Sequence, residues 1–268
     1  MKKIFILFAL FALMLCISTQ ADEKDVSVWV DMQRVEGAFI ENGVTYVPIR
    51  AFYNASGAES VEWDGEKRVA TVKLEGTEIK IFADKEYMSA NGRYIFLGKP
   101  AKNVDGRMCV AIRLLAKTVN GDVTWDGENK RVYVESGGVM LCGDKFYDET
   151  DVLWLSRIIY AESRGEPFEG KLAVGCVVMN RVESDEFPDD VYSVIFDRKY
   201  GVQFTPTSNG TINNTPDESC VIAAKLCLEG VRVADDALYF VNERIAKSAW
   251  VSRNREKVME IGNHTFFN

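Results

Sequence analysis

Residues 155–182 read LSRIIYAESRGEPFEGKLAVGCVVMNRV, and this stretch decides the fold of the second half of the chain. Leu155, Ile158 and Ile159 recur at helical spacing, and Glu162 is the next position on the same stripe. Burying a carboxylate without a partner is costly. Gly165 and Pro167 are stop signals, so Glu162 falls near a helix C-terminus, where the macrodipole also disfavours negative charge. Both effects raise a carboxyl pKa, which suits general-acid work near neutral pH. The pattern alone leaves a solvated glutamate in a fraying last turn equally open.

From Phe168 the chain is apolar on almost every side, with small Ala173, Gly175 and Cys176 for close approach. A helix hydrophobic all round is buried. This is therefore the central helix of a domain, with Asn180 and Arg181 expected as its polar exit.

The string IYAESRGEPFEGKLAVGCVVMNRV resembles the signature of bacterial cell wall hydrolases of the spore cortex-lytic type, the SleB/CwlJ family. FPDDVYSVIF, QFTPTSNG, ALYFVN and IGNHTFF continue the resemblance in order, over roughly Asp148 to Phe267. It implies a lysozyme-like α+β catalytic domain that cleaves the MurNAc–GlcNAc strand of peptidoglycan. It also implies Glu162 as the acid, with Gln203, Phe204, Thr205, Asn242 and His264 as candidates for holding the glycan. On residue type alone Phe204 is equally a core residue, and a lone histidine is more often structural.

Helices are expected at 148–163, 168–182 and 191–196, and from an N-cap at Thr215 to Gly230, with short strands in GVQFTP, ALYFVN and MEIGNHTFF. The chain has 268 residues, 47% of them hydrophobic, enough for two packed domains. Residues 1–21 form a secretory signal peptide: Lys2 and Lys3, then an apolar run from Ile4 to Ile17, then Thr19-Gln20-Ala21. The location is thus extracytoplasmic, with membrane attachment only through an uncleaved signal. Cleavage takes the net charge from −8 to −10, a poor match for nucleic acid or anionic lipid. The oligomeric state is not legible.

Residues 25–135 contain an internal repeat. GVTYVPIRAF from Gly43 lines up with GRMCVAIRLL from Gly106, and Trp63-Asp64-Gly65 with Trp125-Asp126-Gly127. Each copy alternates like strands around a short helix, giving two β-β-α-β-β units in one β-rich module. The pattern resembles the N-terminal domain first described in copper amine oxidases. Copper needs several imidazoles, and the one histidine lies in the other half. Arg50 and Arg113 are expected to buttress each helix, and Trp63 and Trp125 to be structural, with contact to wall polymer as the less favoured reading. Residues 136–146 are the expected linker and 147–268 the catalytic domain, expected to fold alone and keep lytic activity.

Of the six cysteines, Cys16 lies in the signal peptide and most others read as small core hydrophobes, with room for one disulfide. A zinc amidase or peptidase needs several histidines, and no cysteine shares a motif with His264, so no metal or cofactor is expected. No second acid sits on the stripe: Glu166 and Glu169 flank the turn, and Asp185 is off it. A lytic transglycosylase needs one carboxyl, because the C6 hydroxyl of muramic acid is the nucleophile. That is the preferred activity, with an N-acetylmuramoyl-L-alanine amidase or an inactive wall-binding protein as alternatives.

Overall fold

The computed structural model describes residues 26–199, 201–244, 246 and 249–268. The expected signal peptide lies outside them. Alternating apolar residues and left-handed turns at Asn42, Asn91, Asp105 and Asn120 organise the first half into strands. One repeat runs β3 (Phe39–Glu41), β4 (Val44–Pro48), α1 (Ile49–Ala55), β5 (Ser60–Asp64), β6 (Val69–Leu74). The other runs β10 (Lys102–Val104), β11 (Arg107–Ala111), α2 (Ile112–Thr118), β12 (Asp122–Asp126), β13 (Arg131–Glu135). The two share a sheet in the order β10-β11-β4-β3, in which Val47 faces Val110. Tyr53 of α1 and Thr118 of α2 hydrogen-bond at 3.0 Å in the core between them.

Each repeat is extended differently. β1 (Ser27–Val30) and β2 (Gln33–Val35) complete the sheet β12-β13-β1-β2. β7 (Thr77–Phe82), β8 (Tyr87–Ala90) and β9 (Arg93–Phe96) complete β5-β6-β7-β8-β9. Arg50 and Arg113 are exposed and make no hydrogen bond or ion pair among the described residues. They do not buttress the helices; apolar Ile49, Phe52, Ile112 and Leu115 hold them instead. Trp63 and Trp125 are 49% and 45% exposed, so neither indole is a core residue.

The second half packs α4 (Glu149–Ser163), α5 (Phe168–Val182), α6 (Val191–Phe196) and α8 (Glu218–Leu228) around one core. The short α3 (Gly143–Phe146), α7 (Pro206–Asn209) and α9 (Trp250–Asn254) are peripheral. A three-stranded antiparallel sheet, β14 (Tyr239–Val241), β16 (His264–Phe267) and β15 (Lys257–Ile261) in that order, flanks α5. Three expectations are corrected. The cap of α8 is Asp217, whose carboxylate accepts from the Cys220 N–H, not Thr215. GVQFTP is a bend leading into α7: Pro206 starts that helix, and among the described residues the segment makes only an isolated bridge from Gly201 to Lys199. Asn180 and Arg181 are buried at 9% and 4% exposure, not a polar exit. Asn180 Nδ2 donates to the carbonyls of Asp235 and Ala237, and Arg181 Nε to that of Leu238.

The β8–β9 hairpin docks the module onto the helices. Arg93 makes a bidentate pair with Glu229 (2.8 and 2.6 Å), and the Tyr147 hydroxyl donates to the same carboxylate while accepting from the Tyr94 N–H. Tyr87 packs on Phe168 with ring centroids 5.3 Å apart. The expected linker is pinned here too: Asn91 donates to the Met140 carbonyl and accepts from the Gly143 N–H. Removing the module would uncover Phe168 and leave the Glu229 carboxylate with the Tyr147 hydroxyl alone, so a truncated second half is expected to lose stability.

Two predictions follow from this packing. The Arg93–Glu229 side chains are only 17% and 12% exposed, so Arg93→Ala leaves a partly buried carboxylate without its counter-ion, held by the Tyr147 hydroxyl alone. A loss of about 2–3 kcal/mol is expected in chemical denaturation. Arg93→Leu, which adds apolar contact but no charge, should not rescue it. A Cβ on Gly175 would lie 2.7 Å from Cys227 Sγ and 2.9 Å from Ile159 Cδ1. Gly175→Ala should therefore cost about 1–2 kcal/mol despite the better helix propensity of alanine.

Candidate functional site

Helix α4 opens on Asp148, whose carboxylate accepts from the backbone of Thr150 and Asp151. Its other end carries Glu162. There the Ser163 hydroxyl donates back to the Ile159 carbonyl at 2.7 Å, and the Glu166 N–H closes a turn onto the Ser163 carbonyl. Gly165 does not take the left-handed conformation expected of it. Pro167 then caps α5, so the chain reverses within 163–167.

Within this turn Glu166 is a clamp. Its two oxygens accept from the Asn263 N–H and Asn263 Nδ2, both at 2.9 Å. A Cβ on Gly262 would lie 2.0 Å from the carboxylate, so only glycine, here at φ +60°, lets the β15–β16 turn seat on it. Burial works against ionisation of Glu166, but the Asn263 hydrogen bonds together outweigh it and hold the pKa below the usual value.

Glu162 has the opposite surroundings. It is half-buried, with no hydrogen bond or ion pair among the described residues. Desolvation pushes its pKa up to about 7. A carboxyl with that value is present in both protonation states near neutrality. It can give a proton and take one back.

The other candidates gather around the small sheet. His264 is 7% exposed, and its ring lies 5.2 Å from Phe240. Burial lowers its pKa, opposed by the Glu166 charge, so it is neutral near pH 7. The pairing of Val241 with Thr265 brings Asn242 alongside His264 at the end of the ladder. Asn242 also accepts from the Arg244 N–H. Phe204 is 3% exposed and sits between Phe240 and the Arg181 guanidinium, so it is part of the core and does not face a polymer. Half-buried Gln203 and exposed Thr205 flank it. Asn263, beside His264, ties the cluster to the turn that follows Glu162.

The sequence marks Arg181 only as a polar helix exit, not as a residue of the site. Its guanidinium lies 4.8, 5.1 and 5.4 Å from the rings of Phe187, Phe204 and Tyr239, and burial lowers its pKa to about 10. No periodicity rule marks a buried arginine on an apolar helix. The Glu166–Asn263 clamp was missed for another reason: its partners are 97 residues apart. Among the described residues no three His, Cys, Asp or Glu side chains are grouped to hold a metal.

Residues 165–267 match the family model described as Cell Wall Hydrolase, and residues 29–134 that of the Copper amine oxidase N-terminal domain. The chain is similar to the spore cortex-lytic enzyme of Halalkalibacterium halodurans, 37% identical over 122 residues, which are 46% of this chain and 36% of that protein. It is equally similar to the one from Bacillus cereus, 37% over 120 residues, 45% of each chain. It thus spans less than half the length of these relatives. The solved catalytic domain of the germination-specific lytic transglycosylase SleB from Bacillus anthracis is 36% identical, with a TM-score of 0.42, covering 46% of this chain and 97% of that one. Residues 165–267 thus form a cell wall hydrolase domain, and residues 29–134, which precede it, a copper amine oxidase N-terminal domain.

Proposed function

We propose that residues 147–268 are the catalytic part of a secreted enzyme that cleaves the peptidoglycan glycan strand, with Glu162 as its single acid–base group. The observation that carries this is the unpaired, half-buried carboxyl of Glu162 with its pKa near 7. The family match begins at residue 165, just past Glu162, so the assignment rests on this geometry together with the resemblance.

In the first step the protonated Glu162 gives its proton to the glycosidic oxygen as the bond to muramic acid C1 breaks. The muramic C6 hydroxyl then attacks C1, and the Glu162 carboxylate takes the hydroxyl proton. A 1,6-anhydro end forms and the acid is regenerated. One carboxyl suffices because no water is activated. Glu166 does not serve as a second one, since both its oxygens are committed to Asn263. Half-buried Gln203 and Asn242 and exposed Thr205 are assigned to the glycan strand, with His264 next to Asn242 in the sheet register.

Glu162→Gln keeps the shape and cannot ionise. Turnover on purified sacculi should fall by at least about 10²–10⁴-fold, while Glu166→Gln should lose little. Mass spectrometry of wild-type products should show anhydromuramic ends. Reducing ends would mean hydrolysis, and freed peptides an amidase.

The pH dependence has a definite sign. The first step needs the protonated acid, so wild-type kcat/KM on soluble glycan fragments should decline as pH rises through about 7. Folded Glu162 also binds its proton more tightly than in the unfolded chain. Its contribution to stability is complete below the ordinary glutamate value of 4.5 and lost as pH rises through about 7. Glu162→Gln should therefore be more stable than wild type at pH 8, by about 1–3 kcal/mol, with the gap closing below pH 5.

A further inference from the structure

The module carries two clefts that its repeat builds twice. The smaller, about 400 Å³, is lined by Arg113 and Trp125 of one repeat and by the β3–β4 hairpin of the other. The larger, about 590 Å³, is lined by Arg50 and Trp63 and by the β10–β11 hairpin. Each of the ten residues lining the smaller cleft has a counterpart 62 or 63 positions away among those lining the larger one. The tryptophan, the arginine, Ile49/Ile112, Val61/Val123 and the turn glycine Gly43/Gly106 are identical in both, while the other hairpin residues have diverged. The repeat thus keeps an aromatic–guanidinium pair at a surface where neither is needed for packing.

Both indoles are held in one way. Asp64 accepts from the backbone of Glu66 and Lys67, and Asp126 from that of Glu128 and Asn129, which fixes each hairpin turn. Gly65 and Gly127 lie against the Nε1 edge of their tryptophans. The indoles are half exposed, and Arg50 and Arg113 are exposed and unpaired among the described residues. Both volumes fall in the range of about 300–1,000 Å³ typical of small-ligand sites.

We infer that these two clefts are saccharide-binding sites that hold the module on the same N-acetylhexosamine glycan its second half acts on. An indole face is apolar and flat, and it matches the C–H face of a pyranose ring. A free guanidinium offers up to five N–H donors to hydroxyl and N-acetyl carbonyl oxygens. The pairing needs no net charge on the ligand, which suits an acidic chain meeting a largely neutral polymer. Two sites in pseudo-symmetric positions suit a ligand that repeats along its length, since bivalent engagement multiplies retention. The larger cleft, with Asn103 and Asn54 adding amide groups where the smaller has Ile40, is the stronger site.

This inference takes its polymer from the proposed function, but its test reads binding and not cleavage. Full-length Glu162→Gln protein is incubated with purified sacculi and with chitin, which carries the N-acetylhexosamine backbone without peptide stems. Retention of this protein is compared with that of two further variants in the same background, Trp63→Ala/Trp125→Ala and Arg50→Ala/Arg113→Ala. Circular dichroism and thermal melting establish that each is folded. Both double variants should lose roughly tenfold or more of their retention on either polymer, the scale of losing an aromatic anchor. Trp63→Ala alone should lose more than Trp125→Ala alone. The arginine pair guards against a tryptophan variant that fails to fold. Undiminished retention of a folded double variant, or retention on sacculi but none on chitin, overturns the inference. A Glu162→Gln protein that still degrades sacculi overturns the catalytic assignment and leaves the tryptophan result to be read on chitin.

Discussion

The second half depends on how closely three helices can approach at Gly175. In α5 a methyl group at that position would meet Cys227 of α8 and Ile159 of α4, both closer than 3.0 Å. Interiors are packed like crystals, so such a contact is not absorbed by slack. Close approach leaves α5 buried on every side and draws the last turn of α4 against it. Glu162 belongs to that last turn, three residues beyond Ile159. Its partial burial is therefore set by helix packing, and its raised pKa follows from burial with no designed partner.

The two N-terminal repeats solve a different problem. Neither repeat alone closes a core: β4 of one pairs with β11 of the other, and Tyr53 reaches Thr118 across the pseudo-dyad. The added strands break the symmetry. The sheet carrying β8 and β9 grows on one side only, and that is the side that meets the helices. The chain thus uses one copy's extension for docking while both Trp–Arg clefts stay open to solvent.

Much of this was legible in the sequence where one element supplies its own evidence. The 3.6-residue period gave α4, α5 and α6 nearly to their ends, and the repeat gave the strand–helix order of the module. Failures occur where two local signals compete or where the partner is distant. Thr215 and Asp217 are both good caps, and only the observed geometry selects the aspartate. GVQFTP has strand composition, yet Pro206 starts a helix and no strand among the described residues pairs with it, so it is a turn. Arg181 reads as a polar terminus because residue type alone cannot show that three aromatic rings and a carbonyl would receive it. The exposure of Arg50 and Arg113 was likewise invisible to an argument from repetition, which marks positions kept without saying why.

What the two halves share is the five-residue turn from Ser163 to Pro167. The β15–β16 turn is clamped onto it through Glu166, and the residue after it, Phe168, is where Tyr87 of the module lands. Two glutamates four positions apart flank and occupy this turn, and their environments have opposite effects. Glu166 has both oxygens bonded and its pKa held down; Glu162 has no partner among the described residues and its pKa pushed up. Such a division separates a carboxylate held ionised from a carboxyl that titrates near neutrality without any difference in residue type. It also leaves Glu162 as the carboxyl beside this turn whose proton is not tied up by a neighbour, because Glu166 is already spent on holding the hairpin that carries His264.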